Sequence, residues 1–392
     1  MRRPILMNWE ASNTFGWGLL GLNIFAQWAN DSDVQPLMGF PISDGSVQCV
    51  DPLRIASLAS ARNDSNQFLA ELERIGPRLL RDLQVVTVDA LGNGFTCENA
   101  QRVGIRNVGR CIFENTRTDG AEAGLAKYDS LLCASRWNAE LLRACSSKPV
   151  TMIHEGIDHA MFFPGPRSGM NAGRFFVFTG GKIEHRKAQD LALLAFREFA
   201  ARHDDAVLVA AWHSPWPQVS VGFQGGLAAP LRVDGQGRLE IRRWVVENGI
   251  RNEQFVELPL MPNQMMPAIL REMDCSLQVS RAEACTNLPA KEAMACGVPV
   301  ILADNTGVRD LVDIDNCVAL RRQTAVAPVA GCGTEGWGES SVDEVIAALE
   351  LLYTDTQARK RIGARGAEWI VENGRTWRNH AAAFKRYLLG SV

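Results

Sequence analysis

The sequence predicts an α/β protein whose two domains each contain a parallel sheet and face a central cleft. At 392 residues the chain is too long for one ordinary core. Strand-like runs alternate with helical patterns in both halves, which is typical of parallel sheets covered by helices on both faces. Residues 165–173 have the composition of a linker, so we predict domains at 1–165 and 174–374. Ligands of such sheets bind beyond the carboxyl ends of the strands.

The individual elements follow from short apolar runs and from helical periodicity. In the first half we predict strands at 5–8, 83–88, 106–112, 130–135 and 149–153, and helices at 17–28 and 137–144. In the second half we predict strands at 175–179, 206–212, 275–280 and 299–303, and helices at 189–202, 288–295 and beyond 342.

Composition narrows the class of protein. Hydrophobic residues make up 46% and charged residues 22%, the balance of a soluble globular protein, and the net charge of -3 gives no support for a nucleic-acid partner. No run of 18 uncharged apolar residues is present, so no transmembrane helix is predicted, although amphipathic faces leave peripheral membrane contact open. Ten cysteines form no CxxC pair and no zinc-spaced cluster. We therefore expect reduced thiols, no metal and a cytoplasmic location.

An anion site is predicted where a strand meets a helix in the second half. Residues 180–187 read GGKIEHRK and combine two glycines with three cations at a helix N-terminus. Unpaired backbone N–H groups and ammonium groups would converge on an anion there. A tight turn with a solvated charged edge would explain this run equally well if it stood alone.

A second run, SRAEACTNLPAKEAMACGVPV, covers residues 280–300. A strand ends, a polar loop follows, and a helix begins near Pro289 and ends at Gly297. Glu292 lies inside this helix near the strand ends, where a carboxylate can accept hydrogen bonds from a ribose diol. A surface glutamate in a helix would account for Glu292 taken alone.

These two runs and residues 154–164 (HEGIDHAMFFP) resemble the motifs of one family. The chain is similar to the retaining nucleotide-sugar glycosyltransferases of the GT-B fold, glycosyltransferase family 4. Its G-[RK]-x-x-x-x-K turn is matched by residues 181–187 and its E-A-M-A-x-G-x-P-V segment by 292–300, and its P-N-G-V-D-x-x-x-F-x-P segment is similar to 154–164. The resemblance covers about residues 106–320. It implies two Rossmann-like domains, with a final helix at about 375–392 packing back on the first.

The resemblance also implies roles for individual residues. Lys182 and Lys187, after Gly181, would hold the donor diphosphate, and Lys182 stands where the family often has arginine. Glu292 would bind the ribose. The backbone of Thr286, Asn287 and Leu288 would lie against the diphosphate. The nucleotide sugar is a co-substrate, so no cofactor and no metal are expected.

The chain departs from the family at one acidic position. Seven residues usually separate two glutamates, whereas eight separate Glu283 from Glu292, and the seven-residue register falls on Ala284. Either the loop is one residue longer and Glu283 still faces the sugar, or the first carboxylate is absent. We expect the first, which makes Glu283 a candidate catalytic residue.

The first half of the sequence contains two candidate sites, a glycine run and Glu114. Gly16 and Gly18 begin a G-x-G-x-x-G run after the first strand. In GT-B enzymes this loop faces the cleft, near the donor phosphates and the acceptor. A close-packed turn is the competing explanation, and no acidic partner supports a dinucleotide site. Many family members place a histidine after a first-domain strand, but this chain has none before His154. Glu114 follows the corresponding strand and is predicted to position the acceptor or the sugar, unless it bonds only to its own loop.

The predicted function is transfer of a sugar, with retention, from a nucleotide-sugar donor to a glycan, lipid-linked or protein acceptor. A nucleotide-sugar 2-epimerase of the same fold is one alternative, and the six histidines, none before His154, count against it. The other is a binding protein without transfer activity. Lys182, Lys187 and Glu292 favour an enzyme but leave that alternative open.

Overall fold

The computed structural model describes residues 2–48, 50–169, 173–214, 216–329 and 332–390. The chain divides into two compact units. The first comprises Met1–Asp158, Pro262–Met265 and Gly374–Val392, and the second comprises His159–Met261 and Met266–Asn373.

The division falls before the predicted linker because the residues after Asp158 are bonded to the second unit. Arg271 donates to the carbonyl oxygens of Met161 and Phe163, at 2.7 and 3.0 Å. Arg167 pairs with Asp274 at 2.9 Å. The predicted boundary at residue 165 is therefore later than the observed one, and residues 170–172 of the linker lie outside the described residues.

The first unit contains a parallel sheet in the order β2-β1-β3-β4-β5-β6. Its strands are β1 (Arg3–Met7), β2 (Val34–Met38), β3 (Val86–Leu91), β4 (Arg106–Cys111), β5 (Ser130–Cys133) and β6 (Val150–Met152). Its first helices are α1 (Gly16–Trp28), α2 (Pro52–Ile75), α3 (Arg78–Asp82), α4 (Ala121–Leu125) and α5 (Arg136–Cys145). Central strands such as β1 end in fully buried apolar residues (Ile5, Leu6 and Met7), as expected where helices cover both faces of a sheet.

The second unit contains another parallel sheet, in the order β12-β11-β10-β7-β8-β9. Its strands are β7 (Phe175–Lys182), β8 (Ala206–His213), β9 (Phe255–Glu257), β10 (Cys275–Gln278), β11 (Val300–Ala303) and β12 (Val318–Leu320), and β13 (Gln323–Ala325) pairs with β14 (Gly338–Ser340). Its helices are α6 (Gln189–Ala200), α7 (Ile241–Glu247), α8 (Met266–Arg271), α9 (Leu288–Ala295), α10 (Val342–Thr354) and α11 (Thr356–Glu372). Within the unit this is the strand order of the Rossmann fold, whose ligands bind outside the carboxyl ends of the strands.

The last helix, α12 (Trp377–Leu389), belongs to the first unit. The indole nitrogen of Trp28 donates to the Ala381 carbonyl at 3.2 Å, and Lys385 bonds Asp31 at 2.7 Å. The chain therefore returns to its first unit at Gly374. The predicted fold class of two parallel-sheet α/β domains is confirmed. No helix among the described residues is long and apolar enough to cross a membrane.

Candidate functional site

The carboxyl end of β7 brings the two predicted lysines onto one turn. The strand ends at Lys182, and a 3-10 turn over His185–Lys187 leads into α6. Gly181 has φ 129°, a conformation that favours glycine. The side chain of Lys187 runs beside it, so that a Cβ at position 181 would lie 3.6 Å from the Lys187 Cδ. The motif thus places Lys182 and Lys187 beside the half-buried Gly181 in one turn.

A third cation, Arg186, joins the two lysines. We call Lys182, Arg186 and Lys187 the phosphate clamp, after the predicted contact with the donor diphosphate. Glu184 accepts from Lys182 at 2.9 Å and from Arg186 at 2.5 Å. Burial raises the pKa of Glu184, but the cations of the clamp outweigh burial and hold that pKa below its usual range. The Lys182 ammonium also lies 5.2 Å from the ring centroid of Trp216. The sequence analysis counted Arg186 among the three cations of this run but assigned it no separate role.

Glu283 is bonded to the clamp. It is 4% exposed, and its carboxylate accepts from Lys187 at 2.7 and 2.9 Å and from Arg186 at 2.9 Å. Ser280 and Asn287 donate to the same carboxylate at 2.7 and 2.9 Å. Burial raises the pKa of Glu283, but the nearby Lys187 and Arg186 lower it to about 2 overall. The carboxylate is therefore ionised at neutral pH and directed at the cations.

The ion pairs of Glu283 predict an acid-dependent loss of stability. Folding lowers the pKa from 4.5 to about 2, so the stabilisation is present above pH 4.5 and is lost as the pH falls towards 2. A shift of this size corresponds to about 3 kcal/mol. Urea unfolding of the wild type and Glu283→Gln should give a difference that is constant near neutral pH and shrinks in acid. A difference independent of pH between 7 and 3 would contradict this prediction.

The N-terminus of α9 lies beside the clamp. A Cβ at Gly180 would lie 3.4 Å from the Cβ of Pro289, which brings β7 against the start of this helix. Asn287 caps the helix, since its Oδ1 accepts from the Ala290 N–H at 3.0 Å. The Thr286 hydroxyl is buried and has no hydrogen-bond partner within the described ranges. The predicted 286–288 segment thus combines a helix N-terminus with an unpaired hydroxyl, both suited to a polar ligand.

Glu292 lies one turn into α9 and is 6% exposed. This burial excludes the alternative that Glu292 is an ordinary surface glutamate. The contact between Glu292 and a ribose stays a prediction.

A buried ion-pair network holds the turn that carries the clamp, and it was not predicted from the sequence. Arg281 donates to Asp190 at 2.9 and 2.7 Å and to Glu339 at 2.6 Å. It also donates to the carbonyl oxygen of His185, at 2.7 Å. The network therefore anchors the turn that carries the clamp to α6 and β14. The only local signal was an aspartate in the first turn of α6.

In the first unit, packing accounts for most of the glycine run. A Cβ at Gly18 would lie 2.4 Å from the Cβ of Ser12, and one at Gly21 would lie 2.8 Å from the indole nitrogen of Trp9. The close-packed turn therefore explains Gly18. Gly16 is exposed, and a Cβ there would meet nothing within 4 Å, so only this glycine leaves its backbone open to a ligand.

Glu114 follows β4 at the carboxyl edge of the first sheet and is half-buried. The Asn93 side chain accepts from the backbone N–H groups of Glu114 and Asn115 at 2.7 and 3.1 Å, which fixes the loop. The role of the Glu114 carboxylate stays a prediction. Nearby in the chain, the fully buried Arg110 pairs with Glu155 at 2.9 Å, a pair that sequence reasoning also missed.

Comparison with known proteins finds a matching segment that contains the residues of this site. Residues 166–326 match the family model described as Glycosyl transferases group 1. D-inositol 3-phosphate glycosyltransferase 1 from Catenulispora acidiphila is 28% identical over 240 residues, covering 59% of this chain and 51% of that protein. The chain spans about half the length of the curated relatives it matches.

Two solved structures extend the comparison to the whole chain. Sucrose-phosphate synthase from Thermosynechococcus elongatus is 15% identical, with 100% of both chains covered and a TM-score of 0.67. HepE from Anabaena, in complex with UDP-glucose, is 14% identical, with 99% of each chain covered and a TM-score of 0.65. The chain therefore has the GT-B fold. The clamp and α9 both lie in the segment that matches the group 1 glycosyltransferases.

Proposed function

We propose that the protein transfers a sugar from a nucleotide-sugar donor to an acceptor. The observation that carries this proposal is the phosphate clamp beside the N-terminus of α9, with the buried Glu292 one turn into that helix. In the proposal the donor diphosphate contacts Lys182 and Lys187, and Glu292 accepts from the ribose. Charge that develops on the leaving diphosphate is stabilised by these cations, and one such donor is typically worth about 3 kcal/mol.

The transfer is proposed to proceed with retention. The acceptor hydroxyl attacks the sugar on the face from which the diphosphate leaves, and a diphosphate oxygen takes its proton. Glu114 is proposed to position the acceptor or the sugar. No step is assigned to a metal or to a cofactor. Comparing the anomeric configuration of donor and product by NMR tests retention.

The names of the similar proteins supply the first substrates to try. HepE is described in complex with UDP-glucose, and the curated relatives are named for D-inositol 3-phosphate. We therefore propose a hexosyl donor, with phosphorylated polyols as acceptors to be tested beside glycans, lipid-linked acceptors and proteins.

Release of nucleoside diphosphate is the direct test. Purified protein is incubated with a nucleotide sugar, with and without each candidate acceptor, and the released diphosphate is measured. Release that requires the acceptor supports the transferase. A changed sugar on an intact nucleotide sugar, without acceptor, would identify a 2-epimerase. Binding of the donor without either product would identify a binding protein.

Replacing Glu292 with alanine is expected to weaken binding of a nucleoside diphosphate by about 10- to 100-fold, the scale of one hydrogen bond to a charged group. Binding of inorganic pyrophosphate, which has no ribose, should change little. Isothermal titration calorimetry measures both ligands. Glu368→Ala on the exposed side of α11 is the matched control, because it removes a glutamate away from the clamp. Equal weakening for both ligands would remove Glu292 from ribose binding.

A further inference from the structure

The carboxylate of Glu283 has no free position for another hydrogen bond. Its Oε1 accepts from Lys187, Ser280 and Asn287, and its Oε2 accepts from Lys187 and Arg186. A carboxylate offers about four lone-pair positions, so these five contacts occupy all of its acceptor capacity. With 4% of the residue exposed, a hydroxyl of a bound sugar could reach it only by displacing one of these donors.

The loop around Glu283 also fixes its direction. The backbone N–H of Glu283 donates to the Thr306 hydroxyl at 2.8 Å, and the N–H of Gly307 donates to the Glu283 carbonyl at 3.0 Å. Both ends of the residue are therefore held, and its side chain extends towards Lys187. The longer spacing to Glu292 accompanies this arrangement, in which the nearest groups to the carboxylate are cations and amides of the protein itself.

We propose that Glu283 is a built-in counter-anion of the phosphate clamp, which positions Lys187 and Arg186 for the donor diphosphate and does not contact the transferred sugar. Glu283 is then a positioning residue. The part of this inference that concerns the donor rests on the proposed function.

In this arrangement the donor diphosphate competes with Glu283 for the cations Lys187 and Arg186. Lys187 and Arg186 are already neutralised in part by Glu283 and Glu184, so an arriving anion shares cations with two carboxylates. Removing the charge of Glu283 removes a repulsion at close range, where effective dielectric constants are well below that of water. The same change frees the Lys187 ammonium to take other positions. Tighter binding of a simple anion should therefore accompany slower turnover.

The test uses inorganic pyrophosphate, which has neither a sugar nor a base. Isothermal titration calorimetry is carried out on the wild type, Glu283→Gln and Glu283→Asp. We expect Glu283→Gln to bind pyrophosphate about tenfold more tightly, and Glu283→Asp, which keeps the charge, to stay within about threefold of the wild type. Unchanged or weaker binding in Glu283→Gln would overturn the proposal, as would a wild type that does not bind pyrophosphate.

A second measurement does not depend on how the variants fold. In a crystal structure of the wild type with a bound nucleotide sugar, the Glu283 carboxylate should keep its bonds to Ser280 and Asn287. No sugar oxygen should lie within hydrogen-bonding distance, about 3.2 Å. A sugar hydroxyl on the carboxylate would overturn the proposal. The transferase itself is judged separately by acceptor-dependent diphosphate release, so a failure of either idea can be told from a failure of the other.

Discussion

Replacing Lys187 with alanine is expected to lower kcat at least about 100-fold at saturating donor, the scale of losing one charge-stabilising donor. Its ammonium is held at 2.7 Å by Glu283, and its stem lies beside Gly181, so few rotamers remain to be ordered when a ligand binds. The loss should therefore appear mainly in the chemical step. Steady-state release of nucleoside diphosphate measures it, once an acceptor is known.

The control for this variant is Lys360→Ala, because Lys360 is an exposed lysine of α11 in the same unit. It should retain the turnover of the wild type. Glu283 keeps Arg186, Ser280 and Asn287 as donors when Lys187 is absent, so the variant should fold, which thermal unfolding can verify. If Lys187→Ala folds and has near-normal turnover, Lys187 does not stabilise the leaving group.

The strands that the sequence predicted are mainly the central ones. Strands such as β7 and β8 are long apolar runs covered on both faces, and the pattern predicts them within a few residues. Five observed strands were not predicted from the sequence. Of these, β2, β9 and β12 lie at the edges of the two parallel sheets, and β13 and β14 form a separate two-stranded sheet. An edge strand is short or carries breakers, as β2 does at Pro36, so its local signal is weak.

Some residues of the candidate site could likewise be placed from neighbouring residues in the sequence, whereas others depend on contacts between distant parts of the chain. The positions of Gly181, Lys182 and Lys187 depend on one turn, so their spacing was sufficient to place them together. The direction of Glu283 depends on Arg186, which is 97 positions away in the chain. Spacing to Glu292 therefore suggested a glutamate facing the sugar, whereas packing directs it at the clamp. The glycine run was ambiguous for a related reason, since only the folded contacts of Gly18 show that it is needed for packing.

Replacing Arg281 with methionine is expected to lower the free energy of unfolding by about 3–5 kcal/mol, the usual cost of removing one partner from a buried ion pair. Arg281 and Asp190 are 3% and 1% exposed, and the arginine donates to the aspartate through two nitrogens. Methionine fills a similar volume but leaves the Asp190 carboxylate buried without its counter-ion. The N-terminus of α6 offsets only part of this cost, since a helix dipole contributes roughly 0.3–1 kcal/mol.

The double variant Arg281→Met with Asp190→Leu separates the charge effect from the loss of packing. Because an apolar pair of similar volume can replace a buried ion pair at little cost, the double variant should be more stable than Arg281→Met alone. Donor affinity should fall in both variants, since each loses the Arg281 hydrogen bond to the His185 carbonyl that anchors the clamp turn. Urea unfolding at pH 7 measures the free energy of unfolding of each variant. If the losses of the two single substitutions simply add in the double variant, the charge of Asp190 does not depend on Arg281, which would contradict the prediction.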